Sequence, residues 1–258
     1  MFIDNQLLKS FPINDFRERV PYPWSEISRF LTPSGFEALR QNFPPVELFK
    51  WHSDLTRPYG QRPHNRYYLA YEESTYLSNK RRGSGIARHK DLSQEWALFI
   101  RELETSEPYL TLVQSLFEVS AFKVRYAWHI GVTNSEVSAH VDSTKKIGTH
   151  IVYFNSDQDW NPEWGGSTLV LSGKSRDTLS PDFEDFDQSI QIQNVGNRSF
   201  LFKNGADAWH GMKPLRSPEG VYRRIFNIIF ERPKEHNKPT IVSRGKSALK
   251  RVFNRQHM

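Results

Sequence analysis

The sequence contains no cysteine among its 258 residues. Disulfides and thiolate metal sites are therefore excluded, and only His, Asp and Glu side chains remain as metal ligands. The chain also lacks a run of the roughly 20 apolar residues that a membrane-spanning helix needs, and its N-terminus lacks the charged-then-apolar layout of a signal peptide. These absences predict a soluble, cytoplasmic protein with no transmembrane segment.

Basic charge is concentrated at one end of the chain. The formal net charge is +6, yet segment 232–258 holds eight Lys or Arg residues and one Glu, so the other 231 residues sum to about −1. A neutral body argues against nucleic acid as a partner, because nucleic-acid binding depends on a basic surface. Residues 233–258 are predicted to form a basic tail that docks to the body or to an acidic partner.

The periodicity of the apolar residues changes near residue 120. Between Leu92 and Val119 these residues recur at helical spacing on both sides of Pro108, which predicts two helices. Thr32 and Pro33 have the pattern of an N-cap and first helical residue. Beyond residue 120, short alternating segments predict many strands, as in a sandwich or barrel. We predict one α+β domain over 1–232, with helical support over 1–119 and a β core over 120–232.

A His-x-Asp pair opens the most informative part of the sequence. Residues i and i+2 of a strand lie on one face, so His140 and Asp142 can converge on one ion. His210 lies between two later strand-like segments, where a neighbouring strand could bring it alongside. Two histidines and one carboxylate on one face of a metal are typical of non-haem Fe(II) oxygenases. The alternative is a hydrogen-bonded core histidine beside an unrelated aspartate.

The final strand-like segment, YRRIFNIIF, opens with two arginines. A guanidinium inside a β unit is costly unless a carboxylate meets it, preferably through two hydrogen bonds. A dicarboxylate co-substrate would supply that partner.

The order of these motifs resembles a known family. His-x-Asp is followed by THIVYFN, GGSTLVL, NRSFLF, WHGM and RRIFNIIF. Over roughly residues 120–232 this order resembles the Fe(II)/2-oxoglutarate dioxygenase superfamily, in its prolyl-hydroxylase-like branch. The resemblance implies a double-stranded β-helix (jelly-roll or cupin-like) in which His140, Asp142 and His210 hold iron. It further implies Fe(II), 2-oxoglutarate and O2 as cofactors, allows ascorbate as a reductant, and predicts hydroxylation of a substrate with release of succinate and CO2.

The resemblance also suggests which residues bind 2-oxoglutarate. Alignment of the family's strand on THIVYFN makes Tyr153 the hydroxyl partner of the distal carboxylate. The family's basic residue stands four before an asparagine, which selects Arg223 over Arg224. Ile225 stands where the family often has Ser or Thr, so the choice between the two arginines stays open. Tyr126, on the strand before the metal pair, is a further candidate.

The sequence says less about the identity of the substrate than about the cofactors. The resemblance places Lys146 where such enzymes often have a basic residue near the substrate, and Trp164 and Arg224 are further candidates for substrate contact. The basic, glycine-bearing segment 79–90 is either a solvated surface or a lid over an acidic or phosphorylated substrate. Both a peptide and a small molecule, including an anionic one, remain open.

Two other functions compete with hydroxylation. The first is a non-catalytic β-helix that binds or senses a ligand; the complete ligand set together with a terminal-strand arginine counts against it. The second is nucleic-acid demethylation, but the branch that performs it places a second arginine six residues after the first. This chain has Ile229 or Phe230 there.

Overall fold

Helices line one side of the protein. A computed structural model describes residues 1–53, 64–73 and 85–233 of the chain. The α-helices of these residues are α1 (Asn5–Lys9), α2 (Ile13–Glu18), α3 (Pro33–Gln41), α4 (Gln94–Thr105) and α5 (Glu107–Phe117). Short 3-10 turns cover Val46–Leu48, His89–Asp91, Pro162–Trp164 and Phe183–Asp185. No helix in these ranges has both the length and the apolar character that crossing a bilayer requires.

The strands form two largely antiparallel sheets that enclose a pocket. In chain order they are β1 (Trp24–Ser28), β2 (Lys50–His52), β3 (Arg66–Tyr71), β4 (Ile86–Ala87), β5 (Lys123–Gly131), β6 (Val137–His140), β7 (Lys146–Tyr153), β8 (Leu169–Lys174), β9 (Phe186–Gln191), β10 (Arg198–Lys203), β11 (His210–Met212) and β12 (Arg223–Glu231). The major sheet has the order β1-β10-β7-β12-β5-β3-β2, with β4 running parallel to β3, and the minor sheet has the order β6-β11-β8-β9. The predicted α+β double-stranded β-helix is confirmed.

Strand alternation divides the two faces of the major sheet. On β12 the side chains of Phe226, Ile228 and Phe230 lie in the large core beneath the helices. Trp96 of α4 packs edge-on against Phe226, with ring centroids 4.9 Å apart. The intervening residues of β12 face the pocket between the two sheets. Burial of large aromatic side chains, worth roughly 1.5–3 kcal/mol each, therefore holds the pocket wall in place from behind.

His150 illustrates this division of faces. Its side chain is fully buried on the helix side, where Nδ1 lies 3.1 Å from the Tyr109 hydroxyl and Nε2 lies 2.9 Å from Ser199 Oγ. Burial lowers the pKa of His150 to about 3, so the ring is neutral at physiological pH. His150 therefore lies on the face of β7 that points away from the pocket.

In the N-terminal half, one predicted helix boundary is confirmed and another is corrected. The Thr32 hydroxyl accepts from the Gly35 amide at 3.1 Å, so the predicted helix start is confirmed. The break between α4 and α5 is at Ser106, whose hydroxyl caps α5, whereas Pro108 lies in the first turn of α5. The placement of Pro108 between the helices was therefore wrong.

The structure agrees only in part with the predicted division into helical support over 1–119 and a β core over 120–232. Region 1–119 supplies β1 to β4 to the major sheet as well as the helices, so it supports the core with strands too. Residues 79–84 of the basic segment lie outside the described residues, as does the tail beyond residue 233. The boundary at residue 232 stays a prediction.

Candidate active site

Two strand ends and the connection after β6 bring His140, Asp142 and His210 together. His140 ends β6 and pairs in register with His210, the first residue of β11, with ring centroids 4.3 Å apart. Asp142 lies two residues beyond the end of β6, in the connection to β7, and not within a strand as the sequence suggested. One ligand atom from each residue lies within 4.8 Å of the others, and all three side chains are buried.

Backbone carbonyls orient both imidazoles. His140 Nδ1 donates to the Ser138 carbonyl at 2.8 Å, and His210 Nδ1 donates to the Ala208 carbonyl at 2.9 Å. Because a carbonyl oxygen only accepts, the hydrogen of each ring must be on Nδ1, which leaves the lone pair on Nε2. Metal-binding histidines use this same outer hydrogen bond. The donor set of two imidazole nitrogens and one carboxylate oxygen therefore fits a divalent transition metal.

Asp142 is held as a carboxylate. Lys146 Nζ donates to Asp142 Oδ1 at 2.5 Å, and the Thr149 hydroxyl donates to Oδ2 at 3.4 Å. Burial by itself would raise the pKa of Asp142, but the charge of Lys146, the interactions with His210 and His140 and the hydrogen bond from Lys146 outweigh it and hold the pKa far below its ordinary value. Lys146, predicted near the substrate, thus lies against the metal cluster.

Arg223 is a buried cation in the same pocket. Its Nε donates to the Gly166 carbonyl at 2.5 Å, and neither Nη group has an acceptor among the described residues. Burial lowers the pKa of Arg223 to about 10, so the guanidinium remains charged at neutral pH. A buried guanidinium that meets no protein carboxylate is costly, and it calls for an anionic ligand.

Tyr153 lies beside this arginine, with its ring centroid 5.4 Å from the guanidinium carbon. Its hydroxyl donates to Thr168 Oγ1 at 2.7 Å, and burial raises the pKa of Tyr153 to about 12, so the hydroxyl keeps its proton. Thr168 itself lines the pocket. A ligand of Arg223 would therefore lie near Thr168, which accepts the hydrogen bond from Tyr153. The sequence suggested only the tyrosine, which is not among the residues that line the pocket.

Gly166 sets the position of the Arg223 side chain. Gly165 and Gly166 both have positive φ, +83° and +90°, where any L side chain is strained. A Cβ at Gly166 would lie 2.9 Å from Arg223 Cδ and 2.8 Å from Asn194 Nδ2, whereas a Cβ at Gly165 would meet nothing within 4 Å.

Gly166→Ala is expected to weaken an anion bound by Arg223, because the new methyl group displaces the guanidinium stem. Gly165→Ala is the matched control. Its positive φ makes alanine unfavourable to a similar extent, by about 1 kcal/mol or more of folding free energy, but the new methyl group leaves Arg223 in place. Calorimetric titration with 2-oxoglutarate should show at least a ~10-fold weaker Kd for Gly166→Ala, equivalent to about 1.4 kcal/mol, and little change for Gly165→Ala. Equal effects of the two substitutions would contradict this expectation.

Three predicted residues lie elsewhere. Tyr126 stacks on Phe226 in the helix-side core, with centroids 5.7 Å apart and planes at 8°, because strand alternation sends it away from the pocket. Arg224 forms an ion pair with Asp159 at 3.2 Å, and Trp164 lies with it in a separate surface groove. The assignment of Tyr126 to the co-substrate, and of Arg224 and Trp164 to the substrate, is therefore corrected.

The pocket also contains polar residues that were not predicted from the sequence. Arg125 and His129 come from β5 and Asn227 from β12, and the edge of the sheet near β3 adds His64, Arg66 and Tyr68. The alternation of β5 and β12 could have identified Arg125, His129 and Asn227 as pocket-facing. The contribution near β3 depends on pairing between segments far apart in the sequence, which no local pattern reveals.

Comparison with known proteins agrees with this geometry. Residues 120–231 match the model of the 2OG-Fe(II) oxygenase superfamily, which confirms the resemblance seen in the motifs. No curated protein matches the chain.

Solved structures share the fold at low sequence identity. A Pseudomonas putida prolyl-4-hydroxylase aligns with a TM-score of 0.55 and 12% identity over 86% of this chain and 97% of its own. A Trichoplax adhaerens prolyl hydroxylase, solved with a hypoxia inducible factor peptide fragment, aligns with a TM-score of 0.55 and 14% identity over 88% and 90%. The carbocyclase SnoK from nogalamycin biosynthesis aligns with a TM-score of 0.54 and 12% identity over 88% and 85%. At these identities the likeness concerns the fold.

Proposed function

We propose that this protein is an Fe(II)- and 2-oxoglutarate-dependent dioxygenase. The starting point is that residues 120–231 match the model of the 2OG-Fe(II) oxygenase superfamily. The protein hydroxylates its substrate and releases succinate and CO2. The observation that carries the proposal is a buried His–Asp–His cluster in one pocket with a buried, charged arginine. The cluster fits the metal, and the arginine fits an anionic co-substrate.

Each of these residues has a distinct role in the proposal. His140 and His210 offer Nε2 and Asp142 offers a carboxylate oxygen to Fe(II), while Lys146 and Thr149 hold that carboxylate. When bound, Fe(II), 2-oxoglutarate and O2 supply the oxidising chemistry.

The co-substrate is held at its far end by the protein. Arg223 binds the distal carboxylate of 2-oxoglutarate, and the Tyr153–Thr168 pair lies beside it. The Gly166 carbonyl restrains the guanidinium through Nε, so that its Nη edge is presented to the ligand. A bidentate arginine of this kind gives orientation as well as affinity.

The prime substrate is a peptide or a small molecule. One structural relative was solved with a peptide of hypoxia inducible factor, and another is a carbocyclase from nogalamycin biosynthesis, which supports keeping both classes. A cytoplasmic location, ascorbate as reductant, an acidic partner for the tail and the absence of a nucleic-acid substrate stay predictions from the sequence.

Cofactor binding and turnover test the proposal directly. Calorimetry should detect 2-oxoglutarate binding that requires Mn(II), and the Fe(II)-loaded protein should form succinate from 2-oxoglutarate in air, slowly even without a prime substrate. Loss of both signals would contradict the proposal. Binding of both ligands without any succinate would instead identify a sensing module.

A further inference from the structure

Asn204 contacts the segment of the chain that carries Asp142. It follows β10 directly, and its side-chain Nδ2 lies 3.0 Å from the Ser143 carbonyl, 3.1 Å from the Lys146 carbonyl and 3.4 Å from the Asp142 carbonyl. The Asn204 backbone amide donates to the Ile147 carbonyl at 2.7 Å. A single residue at the end of β10 therefore contacts four carbonyls in the connection between β6 and β7 and at the start of β7.

The connection between β6 and β7 is held by hydrogen bonds rather than by packing. Residues 143–145 are exposed and have the sequence Ser-Thr-Lys, without an apolar side chain. Further backbone hydrogen bonds run from the Lys146 amide to the Ser143 carbonyl at 3.0 Å and from the Arg232 amide to the Lys145 carbonyl at 2.9 Å. Because an exposed segment with few buried apolar contacts opens easily, its hydrogen bonds determine where Asp142 lies.

The side chain of Asn204 is oriented for donation. Its Nδ2 has two hydrogens, and a reversed amide would place Oδ1 against three carbonyl oxygens, so the surroundings fix the orientation of the amide. Oδ1 is buried and has no hydrogen-bond partner in the described part of the chain. A buried acceptor without a donor is destabilising, and a leucine of similar shape would avoid it. The asparagine is therefore explained by its two donors rather than by stability.

Asn204 also links the segments that carry two of the three metal ligands. The pairing of β10 with β7 ends at Lys203 and Gly148, and the contacts of Asn204 extend it toward the metal cluster. Six residues after Asn204 the chain reaches His210, the first residue of β11. The hydrogen bonds of Asn204 thus join, at one point, the segment that leads to His210 and the segment that carries Asp142.

We propose that Asn204 is a positioning residue of the metal site. Its side-chain amide holds the connection between β6 and β7 so that the Asp142 carboxylate faces the two imidazoles. The inference rests on the proposed function, because it takes Asp142 as a ligand of Fe(II). Asn204 acts through the backbone of this connection, and it supplies no ligand atom of its own.

Asn204→Leu tests the proposal in the full-length protein. Leucine has a similar shape, but it removes both donors of the amide together with the unpaired Oδ1. Calorimetric titration should show Mn(II) affinity at least about tenfold lower than in the wild type, the range found when an outer partner of a metal ligand is lost. The visible absorption of bound Co(II), which depends on ligand geometry, should change as well. A thermal melt of the metal-free protein checks that the variant is folded.

Asn204→Asp separates the loss of the donors from a change of charge. Aspartate has the shape of asparagine, but its ionised carboxylate has no donor and adds a negative charge close to the site. The added charge by itself would attract a cation and tighten Mn(II) binding. We expect severalfold weaker binding instead, because the carboxylate repels the carbonyls of the connection. This variant also decides the question if Asn204→Leu does not fold.

Asn155→Leu is the matched control. Asn155 is buried, its amide donates to the Tyr222 carbonyl at 2.9 Å, and its Oδ1 accepts from the Arg224 backbone amide at 2.7 Å. These hydrogen bonds lie beyond the opposite end of β7, which finishes at Tyr153. The variant should lose stability and keep the Mn(II) affinity of the wild type. Asn42→Leu, at the exposed end of α3, replaces this control if Asn155→Leu does not fold.

The outcomes separate this inference from the proposed function. Failure of the wild-type protein to bind Mn(II) would overturn both together. Mn(II) binding by the wild type, with equal affinity and an identical Co(II) spectrum in Asn204→Leu, would overturn the inference alone. Unchanged or tighter Mn(II) binding by Asn204→Asp, or a loss of affinity in the control as large as that in Asn204→Leu, would also overturn it.

Discussion

Asp142→Asn should weaken Mn(II) binding by more than about 100-fold and abolish succinate formation. The substitution removes the only carboxylate of the His–Asp–His cluster and leaves Lys146 as an unbalanced charge beside the site. Loss of an outer hydrogen-bond partner of a metal ligand typically costs 10–100-fold in affinity, so loss of the ligand itself should cost more. Calorimetric titration with Mn(II) measures the affinity, and succinate assay of the Fe(II)-loaded protein measures turnover.

Asp185→Asn is the matched control for this substitution. Asp142 and Asp185 are equally buried, each 8% exposed, but Asp185 caps a 3-10 turn and contacts Arg176 away from the pocket. Its replacement should lower stability modestly without changing Mn(II) affinity. Undiminished Mn(II) binding by Asp142→Asn, or an equal loss in Asp185→Asn, would refute the assignment of Asp142 as a ligand.

Arg223→Leu should raise the Kd for 2-oxoglutarate at least ~30-fold while Mn(II) binding persists. The variant leaves the distal carboxylate buried without a counter-charge, and truncating one member of a buried charge pair costs about 2–5 kcal/mol. Arg223→Lys should recover part of the affinity, because it restores the charge without the bidentate edge. Calorimetry in the presence of saturating Mn(II) separates this loss from a loss of metal.

The neighbouring residue offers a matched control. Arg224 lies on the opposite face of β12 and contacts Asp159 while about one third exposed. Arg224→Leu therefore removes an ion pair of small value, about 0–1 kcal/mol, and should leave 2-oxoglutarate affinity unchanged. A larger effect of Arg224→Leu than of Arg223→Leu would reverse the assignment.

Local patterns in the sequence were sufficient to identify many of the candidate residues of this site. The His-x-Asp pair, the later histidine and the arginine before an alternating apolar run could each be read along the chain, and family resemblance joined them. Alternation places Arg223 and Arg224 on opposite faces of β12, because successive side chains of a strand point to opposite faces. The same rule, applied to β5, would have excluded Tyr126 and drawn attention to Arg125 and His129.

Only the tertiary structure decided which distant residues meet. The register that sets His140 against His210, and the pairing that brings β3 beside β5, join segments separated by tens of residues. The end of β6 at His140, two residues before Asp142, and the Gly166 carbonyl that restrains Arg223 have no local signature either. Sequence periodicity thus determined which way each side chain faces within its own element. The positions of those elements relative to one another depended on long-range hydrogen bonding and on the packing of the helix-side core, which local sequence does not encode.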